Sequence, residues 1–293
     1  MLNLVRKAYY GARAAQQSMW EPRGGLKREQ QKFWDDNGFL ILPGHFSEER
    51  IDAVNRLVER LWTHGRTRDC RVVADIFIGT PQERRCKLKD APLEARRYPF
   101  KINDLYLDYE LVRELVLEDR LTRALEELIG GHVLACNTLN FEYGSQQDFH
   151  TDSLYMTPPK KLNLIATWIA LETCAPEAGP LRYYPGSHMI PPYRFSTGRM
   201  TSVNAEMDQY RRYMMDEVQK RGLKEEIFCA KKGDVLIWHS QLFHGGAPIK
   251  DPTRTRKSLV THYFKASDML CQQGRTLSGG YYLIRDPQPV PAK

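Results

Sequence analysis

The chain has 293 residues, 42% hydrophobic and 27% charged, a composition that fits a folded globular protein and excludes dominant disorder. No apolar run is long enough to span a bilayer, and the amino terminus lacks the apolar core and small-residue cleavage site of a secretory signal, so a cytoplasmic protein is expected. The net charge of +7 and pI near 9.0 favour acidic partners without choosing among nucleic acid, lipid headgroups and phosphorylated small molecules.

Residues 1–24 form a basic, weakly amphipathic segment: Leu2, Val5, Tyr9 and Ala12 recur at helical spacing beside Arg6, Lys7 and Arg13. Such a helix either lies peripherally on an anionic membrane or packs on its own domain. Residues 25–293 are expected to form one domain. Within it, Phe39 to Leu42 reads as a strand that turns at Pro43-Gly44. A helix follows, with Ser47 as cap, Glu48 and Glu49 at its positive end, and Ile51, Val54, Leu57, Val58 and Leu61 on one face.

Residues 66–101 hold ten lysines and arginines against five acids; a solvated basic loop is the default reading, an anionic substrate the alternative. Residues 108–129 read as one helix ending at Gly130-Gly131. These helices should back a sheet. Beyond Gly131 short strands alternate with turn signals at 133–141, 162–171, 181–184, 235–238 and 258–264, the texture of a double-sheet jelly roll. The fold class is therefore α+β with a mainly β core: a cupin-like double-stranded β-helix backed by helices. Residues 192–225 interrupt it as an insertion expected over the barrel mouth. Cys70, Cys86, Cys136, Cys174, Cys229 and Cys271 contain no CxxC pair, so neither a zinc ribbon nor a disulfide framework is read.

The chemistry concentrates at His150-Thr151-Asp152 and His244. Two imidazoles and a carboxylate that leave coordination positions open form the facial triad of non-haem Fe(II) oxygenases. Residues 141–155 read as strand, turn and strand, and the strand from Gly233 runs towards His244, placing both imidazoles at sheet edges. Arg256 offers a planar, permanently charged fork for a carboxylate, with Arg254 as the rival. Ser258 shares a strand face with Arg256. Thr138 and Asn140 share a face of the strand before the triad, where they either reach a co-substrate or satisfy local backbone groups. Tyr155, Met156, Tyr183 and Tyr184 are candidates for an amphipathic substrate pocket. His188 and His239 are read as structural.

Together with Asp36-Asn37-Gly38-Phe39, the stretch from Ala166 to Glu172, Gly179-Pro180-Leu181, Pro185-Gly186-Ser187-His188, Lys232-Gly233-Asp234, His244-Gly245-Gly246 and Arg256-Lys257-Ser258-Leu259, these residues give a chain that resembles the phytanoyl-CoA dioxygenase family over 33–264. The resemblance implies an Fe(II)- and 2-oxoglutarate-dependent dioxygenase on a jelly-roll core. His150, Asp152 and His244 would be its iron ligands, and O2 its second co-substrate. Arg256 would clamp 2-oxoglutarate, with Trp168 nearby if it is not simply core. Glu142-Tyr143 departs from the family, which more often carries a lysine-proline pair there. The reading is hydroxylation of a small-molecule, lipid, sugar or carrier-bound metabolite with release of succinate and CO2; no nucleic-acid partner is expected. A redox-neutral metal-dependent hydrolase or isomerase, and a non-catalytic sensor of metal and 2-oxoglutarate, are the competing readings.

Overall fold

The computed structural model describes residues 25–63, 71–160 and 162–291; the basic segment 1–24 and Cys70 lie outside these. In chain order the elements are α1 (Arg28–Asn37), β1 (Phe39–Leu42), α2 (Glu48–Thr63), β2 (Val73–Ile76), β3 (Arg84–Lys87), β4 (Lys101–Asn103), α3 (Glu110–Val116), α4 (Asp119–Ile129) and β5 (Val133–Phe141). They continue with β6 (Leu164–Ala170), β7 (Leu181–Tyr183), α5 (Met207–Lys220), β8 (Glu226–Phe228), β9 (Val235–His239), β10 (His244–Gly246), β11 (Ser258–Lys265), β12 (Gln273–Arg275) and β13 (Tyr281–Leu283). The main sheet runs β1-β9-β6-β11-β5-β4-β2-β3, with β13 added along β5 and β12 on β13, and a smaller sheet runs β10-β7-β8. Together they form the jelly roll.

Strand alternation sorts the apolar residues into two layers. In β1, Phe39 and Ile41 join Trp168, Leu181, Leu236 and Val260 between the sheets, whereas Leu40 and Leu42 pack with Ile51, Val54, Leu57 and Leu61 of α2. Because both faces are covered, the strand reads as an uninterrupted apolar run. β9 divides in the same way, with Leu236 and Trp238 facing inward and Val235 and Ile237 against the helix layer.

Two expectations need correction. Residues 108–129 form two helices: the chain leaves the helical path at Leu117, and Glu118 caps α4 by accepting from Leu121 N at 3.0 Å while its carboxylate meets His45 Nε2 at 2.9 Å. The described part of 66–101 is not simply a solvated loop, because β2, β3 and β4 extend the main sheet and bring several of its cations onto acids, while Arg84, Lys87 and Arg97 stay exposed. Arg85 and Lys101 meet Asp75, and Arg96 bridges Glu59 and Glu142. Within the 192–225 insertion, helix α5 buries Tyr210, Met214 and Val218 against Leu154, Phe195 and Phe243, and Tyr210 O–H donates to Thr151 Oγ1 at 3.3 Å, so the insertion buttresses the 149–154 segment. No helix among the described residues is long and apolar enough to cross a membrane.

Candidate active site

His150 and His244 are joined by an isolated bridge with reciprocal backbone hydrogen bonds, His150 N to His244 O at 2.8 Å and His244 N to His150 O at 3.0 Å. The approach depends on glycine: a Cβ on Gly245 would lie 2.8 Å from Gln147 O, and one on Gly246 2.7 Å from Gln146 N. The expected second strand through Asp152 is absent. Two residues of strand would separate His150 and Asp152 by about 7 Å; instead Asp152 opens a 3-10 turn to Leu154, which brings its Oδ1 to 3.7 Å from His150 Nε2 and 3.6 Å from His244 Nε2.

Each imidazole donates its Nδ1–H to a backbone carbonyl, His150 to Asp148 at 2.8 Å and His244 to Leu242 at 2.9 Å. That fixes the tautomer and turns both Nε2 lone pairs towards Asp152 Oδ1, the arrangement a divalent metal requires. The three ligand atoms lie within 4.8 Å of one another and all three residues are buried. Burial, reinforced by His244, pushes His150 down to about 3, so its ring is neutral and ready to ligate. Burial alone would raise the Asp152 carboxyl, but His262, His244 and His150 around it hold it well below the usual carboxylate range.

Two chambers meet at the triad. The inner one, about 70 Å³, is lined by Leu139, Phe141, Trp168, Leu181, Arg256 and Val260 among others. The outer one, about 410 Å³, reaches Arg85, Lys101, Asn103, Tyr155, Met156 and Gln288. Arg256 is 2% exposed. Its backbone N–H donates to Glu142 O at 2.7 Å, its Nη1 donates to Gly179 O at 3.1 Å, and its guanidinium stands 5.6 Å over the Trp168 ring. It meets no carboxylate among the described residues, and its Nε is buried without a partner. Burial lowers its pKa to about 10, which still leaves it charged at neutral pH. The rival Arg254 is half exposed and pairs with Asp251 at 3.3 Å. Ser258 registers with Phe141 and Ala170, so it faces the sandwich interior, and its Oγ is buried without a partner.

Thr138 and Asn140 face the wrong way. They alternate with Asn137, Leu139 and Phe141, which line the chambers; Thr138 Oγ1 accepts from Tyr106 N at 3.4 Å beneath the helix layer, and Asn140 sits in a separate small pocket with Asn55, Glu59 and Arg96. Tyr155 and Met156 line the outer chamber. Tyr183 and Tyr184 do not: Tyr183 is core against Phe39 with its hydroxyl on Glu226, and Tyr184 packs against Phe149 and Phe243.

Two residues that the sequence reading passed over complete the centre. Trp238 Nε1–H donates to Asp152 Oδ2 at 2.7 Å, and His262 Nε2 lies 3.3 Å from the same oxygen. His262 is held in turn by Nδ1–H donation to Asn137 Oδ1 at 2.8 Å. The signal was present, since His262 follows Arg256 at even spacing and shares its strand face.

The profile of the family described as phytanoyl-CoA dioxygenase (PhyH) matches residues 34–258, about three quarters of the chain. The chain belongs to the phytanoyl-CoA dioxygenase family. Its class is thereby that of 2-oxoglutarate-dependent non-haem iron oxygenases, with Fe(II), 2-oxoglutarate and O2 as cofactor and co-substrates. Among curated members, the peroxisomal phytanoyl-CoA dioxygenase of Rattus norvegicus is 27% identical over 250 residues, covering 81% of this chain and 68% of that protein. The Homo sapiens enzyme is 24% identical over 251 residues, covering 82% and 69%. The fold is similar to SnoK, a non-heme alpha ketoglutarate dependent carbocyclase from nogalamycin biosynthesis, with a TM-score of 0.62, 18% identity and coverage of 82% of this chain and 85% of SnoK. EctD from S. alaskensis, solved with 2-oxoglutarate and 5-hydroxyectoine, gives a TM-score of 0.59 at 17% identity, covering 87% and 81%.

Proposed function

We propose that this member of the family hydroxylates an organic metabolite, with Fe(II) held by His150, Asp152 and His244 and 2-oxoglutarate seated in the inner chamber against Arg256. The observation that carries the reading is the buried, acid-free guanidinium beside a ready-made set of two imidazoles and a carboxylate. A buried charge costs several kcal/mol unless paired, and a dicarboxylate co-substrate would supply the missing partner. A metal-dependent hydrolase would have no use for it. Fe(II) in this site supplies the dioxygen chemistry, by which one oxygen atom ends in succinate and the other in the substrate hydroxyl while CO2 is released.

The chain's own residues bind, orient and exclude water. Arg256 pairs with the distal carboxylate while the Trp168 face fixes the guanidinium plane. Leu139, Phe141, Leu181 and Val260 enclose the co-substrate carbons in apolar surface and keep bulk water from them. Trp238 occupies Asp152 Oδ2, leaving Oδ1 for the metal. Trp238→Phe keeps the ring but removes the donor, so Fe(II) affinity is expected to fall roughly 10- to 100-fold, as is usual when an outer partner of a ligand is lost. Unchanged affinity in an anaerobic metal titration would show that the indole does not position the carboxylate.

The complete carboxylate also decides the product. The charge of Asp152 disfavours a second anion such as chloride on the metal, so oxygen, not halogen, is transferred. The reading is tested by screening metabolites for stimulated succinate release and weighing the product formed in high chloride. A gain of one oxygen atom is expected; a chlorinated product from the unmutated protein would refute it.

A further inference from the structure

We propose that the outer chamber takes a substrate bearing a carboxylate or phosphate, seated at Arg85 and Lys101, beside a hydrogen-bond donor that satisfies Asn103. The inference rests on the oxygenase reading and names the substrate class for the same site.

Cross-strand register builds this wall. Arg85, Asp75, Lys101 and Phe141 stand opposite one another across β3, β2, β4 and β5, and Val73, Asn103 and Leu139 form the next row. Cross-strand partners share a sheet face, so the polar row continues the face whose Phe141 and Leu139 line the inner chamber. Arg85, Lys101 and Asn103 all line the outer chamber, together with the triad residues His150 and Asp152. A ligand held at this wall therefore lies in the same cavity as the metal-binding side chains.

The charge is unbalanced. Arg85 uses Nε and Nη2 in a bidentate pair with Asp75, at 2.6 and 3.0 Å, which leaves Nη1 outside the pair. Lys101 Nζ reaches the same carboxylate at 3.3 Å. Two cations share one acid, and Asp152 of the triad is the sole carboxylate among the described residues that line the chamber. Asp75 is 8% exposed and acts as the anchor that holds both cations in place. A pre-positioned guanidinium and ammonium with spare donors suit an oxyanion.

Asn103 supplies an independent observation. It is 2% exposed, and its Nδ2 donates to Asp75 Oδ2 at 3.3 Å and Val73 O at 3.5 Å. Both partners are acceptors, so the orientation of the amide is fixed. Its Oδ1 is buried with no hydrogen-bond partner. Buried acceptors are ordinarily satisfied, and a hydroxyl or N–H of the ligand, next to the anionic group, fills this one.

The experiment loads the full chain with Ni(II) and N-oxalylglycine, an unreactive 2-oxoglutarate isostere, so that the inner chamber is filled. It then titrates inorganic phosphate, 3-hydroxyoctanoate and methyl 3-hydroxyoctanoate by calorimetry. At least one anion is expected to bind tenfold or more tightly than the neutral ester, and whichever binds identifies the group. Lys101→Met and Arg85→Gln should each weaken that binding at least tenfold while Ni(II) and N-oxalylglycine still load. Lys101 is 30% exposed at its side chain, so its variant decides the matter if Arg85→Gln fails to fold. Equal binding of acid and ester, no binding of either anion, or undiminished binding in the Lys101 variant overturns the proposal. Failure of the wild-type chain to load Ni(II) with N-oxalylglycine would instead remove the oxygenase reading beneath it.

Discussion

Replacing His150 or His244 with alanine eliminates most 2-oxoglutarate turnover and weakens Fe(II) binding by more than about a hundredfold, since even the outer partners of such ligands are worth roughly 10- to 100-fold. The two imidazoles are equivalent in construction: each is tied at Nδ1 to a carbonyl two residues away and each presents Nε2 within 3.7 Å of Asp152 Oδ1. Removing either leaves two protein ligands for the metal. The check is succinate formed from 2-oxoglutarate under iron-limited conditions, where excess metal cannot hide a loss of affinity. Wild-type turnover in both variants contradicts the assignment.

Arg256→Ala raises the dissociation constant for 2-oxoglutarate by roughly 10- to 150-fold, the equivalent of the ~1.5 to 3 kcal/mol that a charge-assisted hydrogen bond contributes. Arg254→Ala is expected to change it less than about twofold, because that side chain is half exposed and engaged with Asp251. Co-substrate binding to each variant, measured with metal present and oxygen absent, separates the two. The reverse order of effects places the clamp at Arg254 and dissociates the inner chamber from the co-substrate.

How much of this was legible beforehand varies with the physics of each signal. The sheet strands at 133–141, 235–238 and 258–264 were readable because apolar runs between turn residues have few other solutions. Facing was harder. β5 is buried on both sides, so Thr138 and Asn140 looked as eligible as Asn137 and Leu139, and only register against β11 and β4 shows which set meets the site. The turn at Asp152 was hidden because strand alternation alone already places residues 150 and 152 on one side, so the spacing gave no sign of the 3-10 turn that begins at Asp152. Trp238 was legible only as part of the 235–238 strand; that its indole N–H reaches Asp152 depends on segments far apart in sequence. Arg96 read as solvated because its partners Glu59 and Glu142 come from other elements; Arg85 and Lys101 read so because only the sheet register sets them opposite Asp75.

We propose that one metal and one 2-oxoglutarate share a single site built by His150, Asp152, His244 and Arg256. Anaerobic equilibrium dialysis of Fe(II) against the full chain, with and without 2-oxoglutarate, tests it most directly. One Fe(II) per chain is expected, bound more tightly in the presence of 2-oxoglutarate, with the metal lost in His150→Ala and the enhancement lost in Arg256→Ala. Stoichiometric iron that persists in His150→Ala, or an enhancement undiminished in Arg256→Ala, would contradict it.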